Sequence, residues 1–209
     1  MPHLTVVDHP LVRRDLARLR DAKTPHGDFR RLLADVSTLL AYEALRDLSE
    51  RETSVQTPLE VTVGFELAEP VIVVPVLRAG LGMVDGILRL VPDARVGHVG
   101  LYRDETTHLP VSYYLRLPSG LDAARVIVVD PMLATGGSAV ETVARVREAG
   151  AKRVVVIGLV AAPEGIRRMR DAFPDIPVFV AALDRELDSN AYIRPGLGDA
   201  GDRVFGTDH

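Results

Sequence analysis

The sequence predicts an α/β protein, a parallel β-sheet with helices on both faces. Two observations carry this. Four apolar, mostly β-branched runs, at Val71–Pro75, Val126–Asp130, Val154–Val160 and Val178–Leu183, lack polar alternation, the mark of strands buried on both faces. Helical patterns follow the first three, at Met83–Leu90, about 137–149 and about 164–172. Strands alternating with helices imply a parallel sheet covered on both sides.

The elements around these units are read in order. His9-Pro10 opens a first helix with Leu11, Leu16 and Leu19 on its apolar side. Asp28 reads as the N-cap of a longer helix, in which Phe29, Leu32, Leu33, Val36, Leu39, Leu40, Leu45 and Leu48 recur every three or four residues. Thr53 to Val63 alternates weakly around Pro58 and predicts one or two short edge strands. Val96–Tyr102, a polar turn at Asp104–His108 and Val111–Leu117 predict a β-hairpin that extends the sheet. The glycine-rich tail from Glu186 reads as irregular. The 209 residues fit one domain: N-terminal helices over about 9–49, a core over about 70–183 and a C-terminal segment over about 184–209.

Composition narrows the function. The formal net charge is −4 and no basic run occurs, against a nucleic-acid-binding surface. The longest apolar run, at 154–163, is half of what a bilayer requires, and the N-terminus has no signal-peptide pattern. The expectation is therefore a soluble, cytoplasmic protein, and the absence of cysteine fits a reducing compartment. The six His residues show no metal-ligand spacing, and neither G-x-S-x-G nor H-E-x-x-H occurs.

Three blocks carry chemistry. In Val126-Ile-Val-Val-Asp-Pro-Met-Leu-Ala-Thr-Gly-Gly-Ser138, Asp130 stands at the carboxyl end of a buried strand, where open parallel sheets bind ligands. Thr135-Gly-Gly-Ser138 then opens a helix, whose free N–H groups and positive dipole end favour a phosphate. A carboxylate just before such a loop is placed to accept hydrogen bonds from two ribose hydroxyls. Set against this is a plain loop with Ser138 as N-cap. The second block, Val74-Pro-Val-Leu-Arg-Ala-Gly-Leu-Gly82, places Arg78 before a glycine turn, which suits a second anion such as pyrophosphate. Asp85 stands where a dinucleotide fingerprint needs its third glycine, which disfavours an oxidoreductase. The third block, Tyr192-Ile-Arg-Pro-Gly-Leu-Gly-Asp-Ala-Gly-Asp202, offers backbone groups to a flat heterocycle.

Together these blocks resemble the uracil phosphoribosyltransferases, from about Val6 to Thr207. The 128–138 block is similar to the ribose-phosphate loop of type I phosphoribosyltransferases in general. Pro131 stands where many of these carry a second acid, a departure the uracil enzymes share. The resemblance implies a pentosyltransferase that converts uracil and 5-phosphoribosyl 1-diphosphate (PRPP), with magnesium, to UMP and pyrophosphate in pyrimidine salvage. It implies that the loop from Asp130 through Pro131, Met132, Leu133, Ala134, Thr135, Gly136, Gly137 and Ser138 binds PRPP. Asp130 would hold the ribose hydroxyls, and Ala134 to Ser138 the 5′-phosphate. Arg78 and Arg103 would contact pyrophosphate. The backbone of Ile193, Gly198 and Ala200 would read uracil. Asp199 would lie near the reacting centre and contact PRPP and metal-bound water. No protein side chain would bind the metal directly. Arg194 replaces the family's common aliphatic residue beside the base contact. The resemblance further implies a homo-oligomer, dimer or tetramer, and GTP as effector. The alternatives are a type I transferase for another base, which the tail block argues against, and a PRPP- or nucleotide-sensing regulator, which the acidic charge and Arg78 argue against.

Overall fold

The computed structural model describes residues 4–103 and 110–207. On the two strands nearest residues 103 and 110 it describes side chains only through Leu101 and from Tyr113 onward. Strand β1 (Leu4–Val6) precedes helices α1 (Pro10–Arg20) and α2 (His26–Ala44), then strands β2 (Glu50–Gln56) and β3 (Val61–Leu67). The core follows with β4 (Val71–Leu77), α3 (Leu81–Leu90), β5 (Arg95–Val96), β6 (His98–Arg103), β7 (Pro110–Arg116), β8 (Arg125–Val129) and β9 (Met132–Leu133). It continues with α4 (Gly137–Glu148), β10 (Arg153–Ala161), α5 (Pro163–Ala172) and β11 (Val178–Leu183). The tail holds β12 (Glu186–Leu187), β13 (Ile193–Arg194) and α6 (Ala200–Phe205).

The central sheet runs β1-β11-β10-β8-β4-β6-β7, with β5 beside β4 and β9 beside β10. All pairings are parallel except β6 with β7, the predicted hairpin. Its turn, Asp104–His108, lies outside the described residues. The β-branched runs are continuous because both faces are covered. Ile127 and Val129 pack in the layer of α1, α2 and α3, while Val126 and Val128 pack in the layer of α4 and α5. Fully burying each such side chain contributes about 1.5–3 kcal/mol.

Three expectations need correction. Helix α2 starts at His26 behind Pro25, so Asp28 is not its cap; it lies in the first turn, where an acid still complements the dipole. The Thr53–Val63 region does not edge the central sheet, because β2 and β3 pair antiparallel as a separate two-stranded arm, Glu50↔Leu67 to Gln56↔Val61. The tail is not irregular: β12 pairs with β13, and α6 follows. Strands β1 and β9, too short to show a period, were not anticipated from the pattern.

Candidate active site

Strands β4 and β8 are neighbours, with Pro75 opposite Val129. From β4 the chain leaves through α3 toward β5 and β6; from β8 it leaves through α4 toward β10, on the other side. Connections diverging from adjacent parallel strands leave a crevice at the carboxyl edge, the general place for a ligand in such sheets. Arg78 follows β4 at one lip and Asp130 follows β8 at the other.

The Asp130 loop is stitched to β10. The Asp130 N–H donates to the Ile157 carbonyl (3.1 Å), and the Pro131 carbonyl accepts from Leu159 and Val160 (3.1 and 3.0 Å). Met132 and Leu133 then pair with Val160 and Ala161 as β9. This geometry turns the Met132 N–H onto Asp130 Oδ1 at 3.3 Å. Burial pushes the Asp130 carboxyl up to about 7, against the pull of the Met132 N–H, although the half-buried side chain still reaches solvent. Asp130 has no ion pair among the described residues, so a ligand that donates hydrogen bonds to it would stabilise its charge.

Beyond β9 the loop lines a cavity of about 80 Å³ with Ala134, Thr135, Gly136, Gly137 and Ser138. Gly136 has φ 73°, and a Cβ there would stand 2.7 Å from the Gly165 carbonyl oxygen. In turn, a Cβ on Gly165 would meet the Leu133 and Ala134 carbonyls at 2.4 and 2.6 Å. The loop therefore lies directly on α5 because both residues are glycines. Helix α4 has Gly136 as N-cap, no side-chain cap bond and no acid in its first turn; Ser138 lies inside the helix rather than capping it. Gly137, Ser138 and Ala139 of its first turn line the cavity together with Asp130, and free helix amides at a positive dipole end are the arrangement that binds phosphate. The Gly137 N–H makes a long bond to Thr135 Oγ1 at 3.4 Å.

At the other lip Arg78 is held loosely. Its side chain is 60% exposed, and its guanidinium stands 3.8 Å from Asp202 Oδ1 and 5.9 Å from the centre of the Phe205 ring. The structure thus brings the second block against the third. Arg103 ends β6, and its side chain lies outside the described residues.

The tail is folded onto the same core as α2. Ile193, Leu197, Ala200 and Val204 are buried there, and Asp199 caps α6 by accepting the Asp202 N–H at 3.0 Å. Arg194 turns to Asp188, its Nε 3.0 Å from Oδ2. Asp188 also accepts the Tyr192 and Asn190 N–H groups (3.0 and 2.9 Å). The Tyr192 amide first, and then the Arg194 guanidinium, hold the Asp188 carboxyl below the usual carboxylate range.

Sequence reasoning missed several residues that hold the tail. Arg20 forms a bidentate pair with Asp184, and Arg203 donates to the carbonyls of Leu19, Leu197 (3.0 Å) and Asp21 (2.6 Å). These partners lie up to 184 positions apart, so no local pattern could reveal them. A cavity of about 480 Å³ opens beside them, lined by Arg20, Thr24, His26, Gly198, Asp202 and Arg203 among others.

The parallel sheet, with a glycine loop at its switch point and a separate tail beside Arg78, is the fold of the phosphoribosyltransferases. A solved adenine phosphoribosyltransferase from Leishmania donovani has this fold, with a TM-score of 0.60, 15% identity and coverage of 100% of this chain and 98% of that one. Closer is a protein from Aquifex aeolicus, with a TM-score of 0.93, 35% identity and coverage of 98% and 99%. The family model described as uracil phosphoribosyltransferase matches residues 6–207. A uracil phosphoribosyltransferase of Salinibacter ruber is 59% identical over 207 residues, 99% of each chain, and one of Listeria monocytogenes is 51% identical over 208 residues, 99% of this chain and 100% of that one. The chain belongs to the uracil phosphoribosyltransferase family.

Proposed function

We propose that this single-domain enzyme transfers the phosphoribosyl group of PRPP to uracil, giving UMP and pyrophosphate. The observation that supports this best is the Arg78 loop, held between the Asp130 loop across the crevice and the tail helix at Asp202. That arrangement suits one ligand with two anionic ends and a base beside it.

In this reading the N–H groups from Ala134 to Ser138 take the 5′-phosphate, and Asp130 takes the ribose hydroxyls. Arg78 and Arg103 take the pyrophosphate, where charge develops as the bond to the anomeric carbon loosens. The backbone of Ile193, Gly198 and Ala200 meets the base, and Asp199 lies beside the reacting centre. A wrongly matched buried polar group costs about 1–3 kcal/mol, which disfavours cytosine. The loops hold sugar and base in line, so no covalent nucleophile is required.

In this reading magnesium comes with PRPP and its bound water. Among the described residues no group of three or more His, Asp or Glu could hold a metal ion, and Asp130 is the one carboxylate of its loop. Bound there, the metal would neutralise charge on the diphosphate.

A homo-oligomer, dimer or tetramer, is part of this proposal. Val61, Val63, Phe65 and Leu67 alternate along one face of β3, each 48–62% exposed. Exposed apolar rows of this kind mark contact surfaces. Among the described residues no helix is long and apolar enough to cross a membrane, and we place the enzyme in the cytoplasm. The family expectation of GTP as effector would appear as a shifted uracil saturation curve when GTP is added.

The test of the reaction is turnover of PRPP and magnesium with a panel of bases, following nucleotide and pyrophosphate together. UMP from uracil alone supports the proposal. Turnover of another base in its place would reassign the substrate, and no turnover with any base would favour a regulator.

A further inference from the structure

We propose that the buried pair Arg20–Asp184 is a positioning device for base recognition, an inference that rests on the uracil reading above. Arg20 closes α1 and Asp184 follows β11; their side chains are 23% and 4% exposed. Two parallel bonds join them, Nη1 to Oδ2 at 2.9 Å and Nη2 to Oδ1 at 2.5 Å. The same two groups hold Gly196. Its N–H donates to Asp184 Oδ2 at 3.0 Å, and its carbonyl accepts from Arg20 Nη1 at 2.7 Å. One ion pair therefore fixes both backbone polar groups of a single tail residue.

Gly196 passes that constraint on in both directions. Its φ is 61°, and a Cβ would stand 2.1 Å from the Ile193 carbonyl oxygen, so Gly196 lies directly on one base-reading residue. On the other side, the Leu197 carbonyl accepts from Arg203 Nη1 at 3.0 Å. Arg203 is itself tied to Leu19 and Asp21 and sits 4.4 Å from the centre of the Phe29 ring. Residues 196 and 197 are thus pinned, while no hydrogen bond among the described residues occupies the backbone of Gly198. The pinned residues thus lie between the proposed contacts Ile193 and Gly198.

A buried ion pair is a poor source of net stability, since apolar replacements often do as well. Its bidentate geometry does supply direction. Recognition by backbone groups requires that direction, because no side-chain rotamer can correct a misplaced carbonyl. An error of about 1 Å can cost about a hundredfold in rate. The pair touches neither the Asp130 loop nor Arg78, so its effect should fall on uracil more heavily than on PRPP, which the tail meets only through Asp199.

The test compares wild type with Asp184→Asn, Arg20→Ala and Arg20→Lys, measuring KM for uracil, KM for PRPP and kcat separately, with melting temperature alongside. Asp184→Asn and Arg20→Ala should raise the uracil KM by about tenfold or more, as loss of one directed bond implies. The PRPP KM should stay within about twofold, and Arg20→Lys should fall between wild type and Arg20→Ala. An unchanged uracil KM, or equal rises in both KM values, would overturn the inference and leave the pair a structural tie. If Asp184→Asn fails to fold, Arg20→Lys carries the same comparison, because Arg20 is the more exposed partner. Failure of wild type to make UMP would instead strike the uracil reading itself.

Discussion

Arg78, at the end of the second central strand in chain order, stands 3.8 Å from Asp202 in the last helix. The contact joins the Arg78 loop to the C-terminal tail across 124 positions of sequence (202 − 78). With Arg78 60% exposed, such a pair contributes only about 0–1 kcal/mol. An incoming diphosphate can therefore take the guanidinium at little cost. Arg78→Ala should raise the PRPP KM by about ten- to a hundredfold. Arg78→Lys should recover part of the loss, and product inhibition by pyrophosphate should weaken in parallel. Initial-rate kinetics with pyrophosphate as inhibitor checks this; unchanged inhibition would remove Arg78 from the diphosphate site.

Gly136 and Gly165, where the Ala134–Ser138 loop lies on α5, make a second prediction. Gly165→Ala places a methyl 2.4 Å from the Leu133 carbonyl oxygen, which must push the loop off α5 or bend the helix. Overpacking of this kind costs about 1–3 kcal/mol. The melting temperature should fall and PRPP affinity should drop, with folded secondary structure retained by circular dichroism. Gly136→Ala adds a left-handed backbone to a 2.7 Å contact and should be at least as damaging.

Asp130 gives the pH dependence. Its folded-state value is about 7 against an ordinary 3.8, so between these values the folded protein keeps a proton that the unfolded chain has released. Stability from this group therefore falls as pH rises from about 4 to about 7, and the cost is constant above that. Asp130→Asn should lack this trend and gain on wild type in melting temperature toward pH 8. Ribose hydroxyls favour the charged carboxylate, so wild-type PRPP affinity should rise with pH through about 7. The comparison with Asp130→Asn separates this effect from ionisation of PRPP itself.

The arm predicts an assembly phenotype. Phe65 is 62% exposed and Val63 60%, so Phe65→Glu with Val63→Glu should leave the fold of one chain intact. Sedimentation velocity should show a smaller species than wild type. An unchanged mass would place the subunit contact elsewhere.

The legible part of this protein is the part whose burial repeats along the chain. Val71–Pro75, Val126–Val129 and Val154–Val160 are apolar because both sheet faces are covered. Asp130 was legible as an acid at the end of such a run and just before a glycine turn. The arm was half-legible: its alternation gave strands, yet an alternating face does not say which sheet pairs with it. Tail elements of two residues, β12 and β13, are below any period, and α6 was hidden because glycines at 198 and 201 flank its start. Arg20, Asp184 and Arg203 stayed invisible because their meaning lies in partners from distant parts of the chain. Arg194, a departure from the family's common aliphatic residue, has its partner in Asp188.

The Asp130 loop is the proposed ribose-phosphate site, and calorimetric titration of PRPP with magnesium tests that most directly. Wild type and Asp130→Asn would be titrated side by side at pH 8, each verified as folded. Wild type should bind saturably and the variant should lose at least about tenfold in affinity, as expected for a charge-assisted pair of hydrogen bonds. Equal affinity in the two proteins would contradict that proposal.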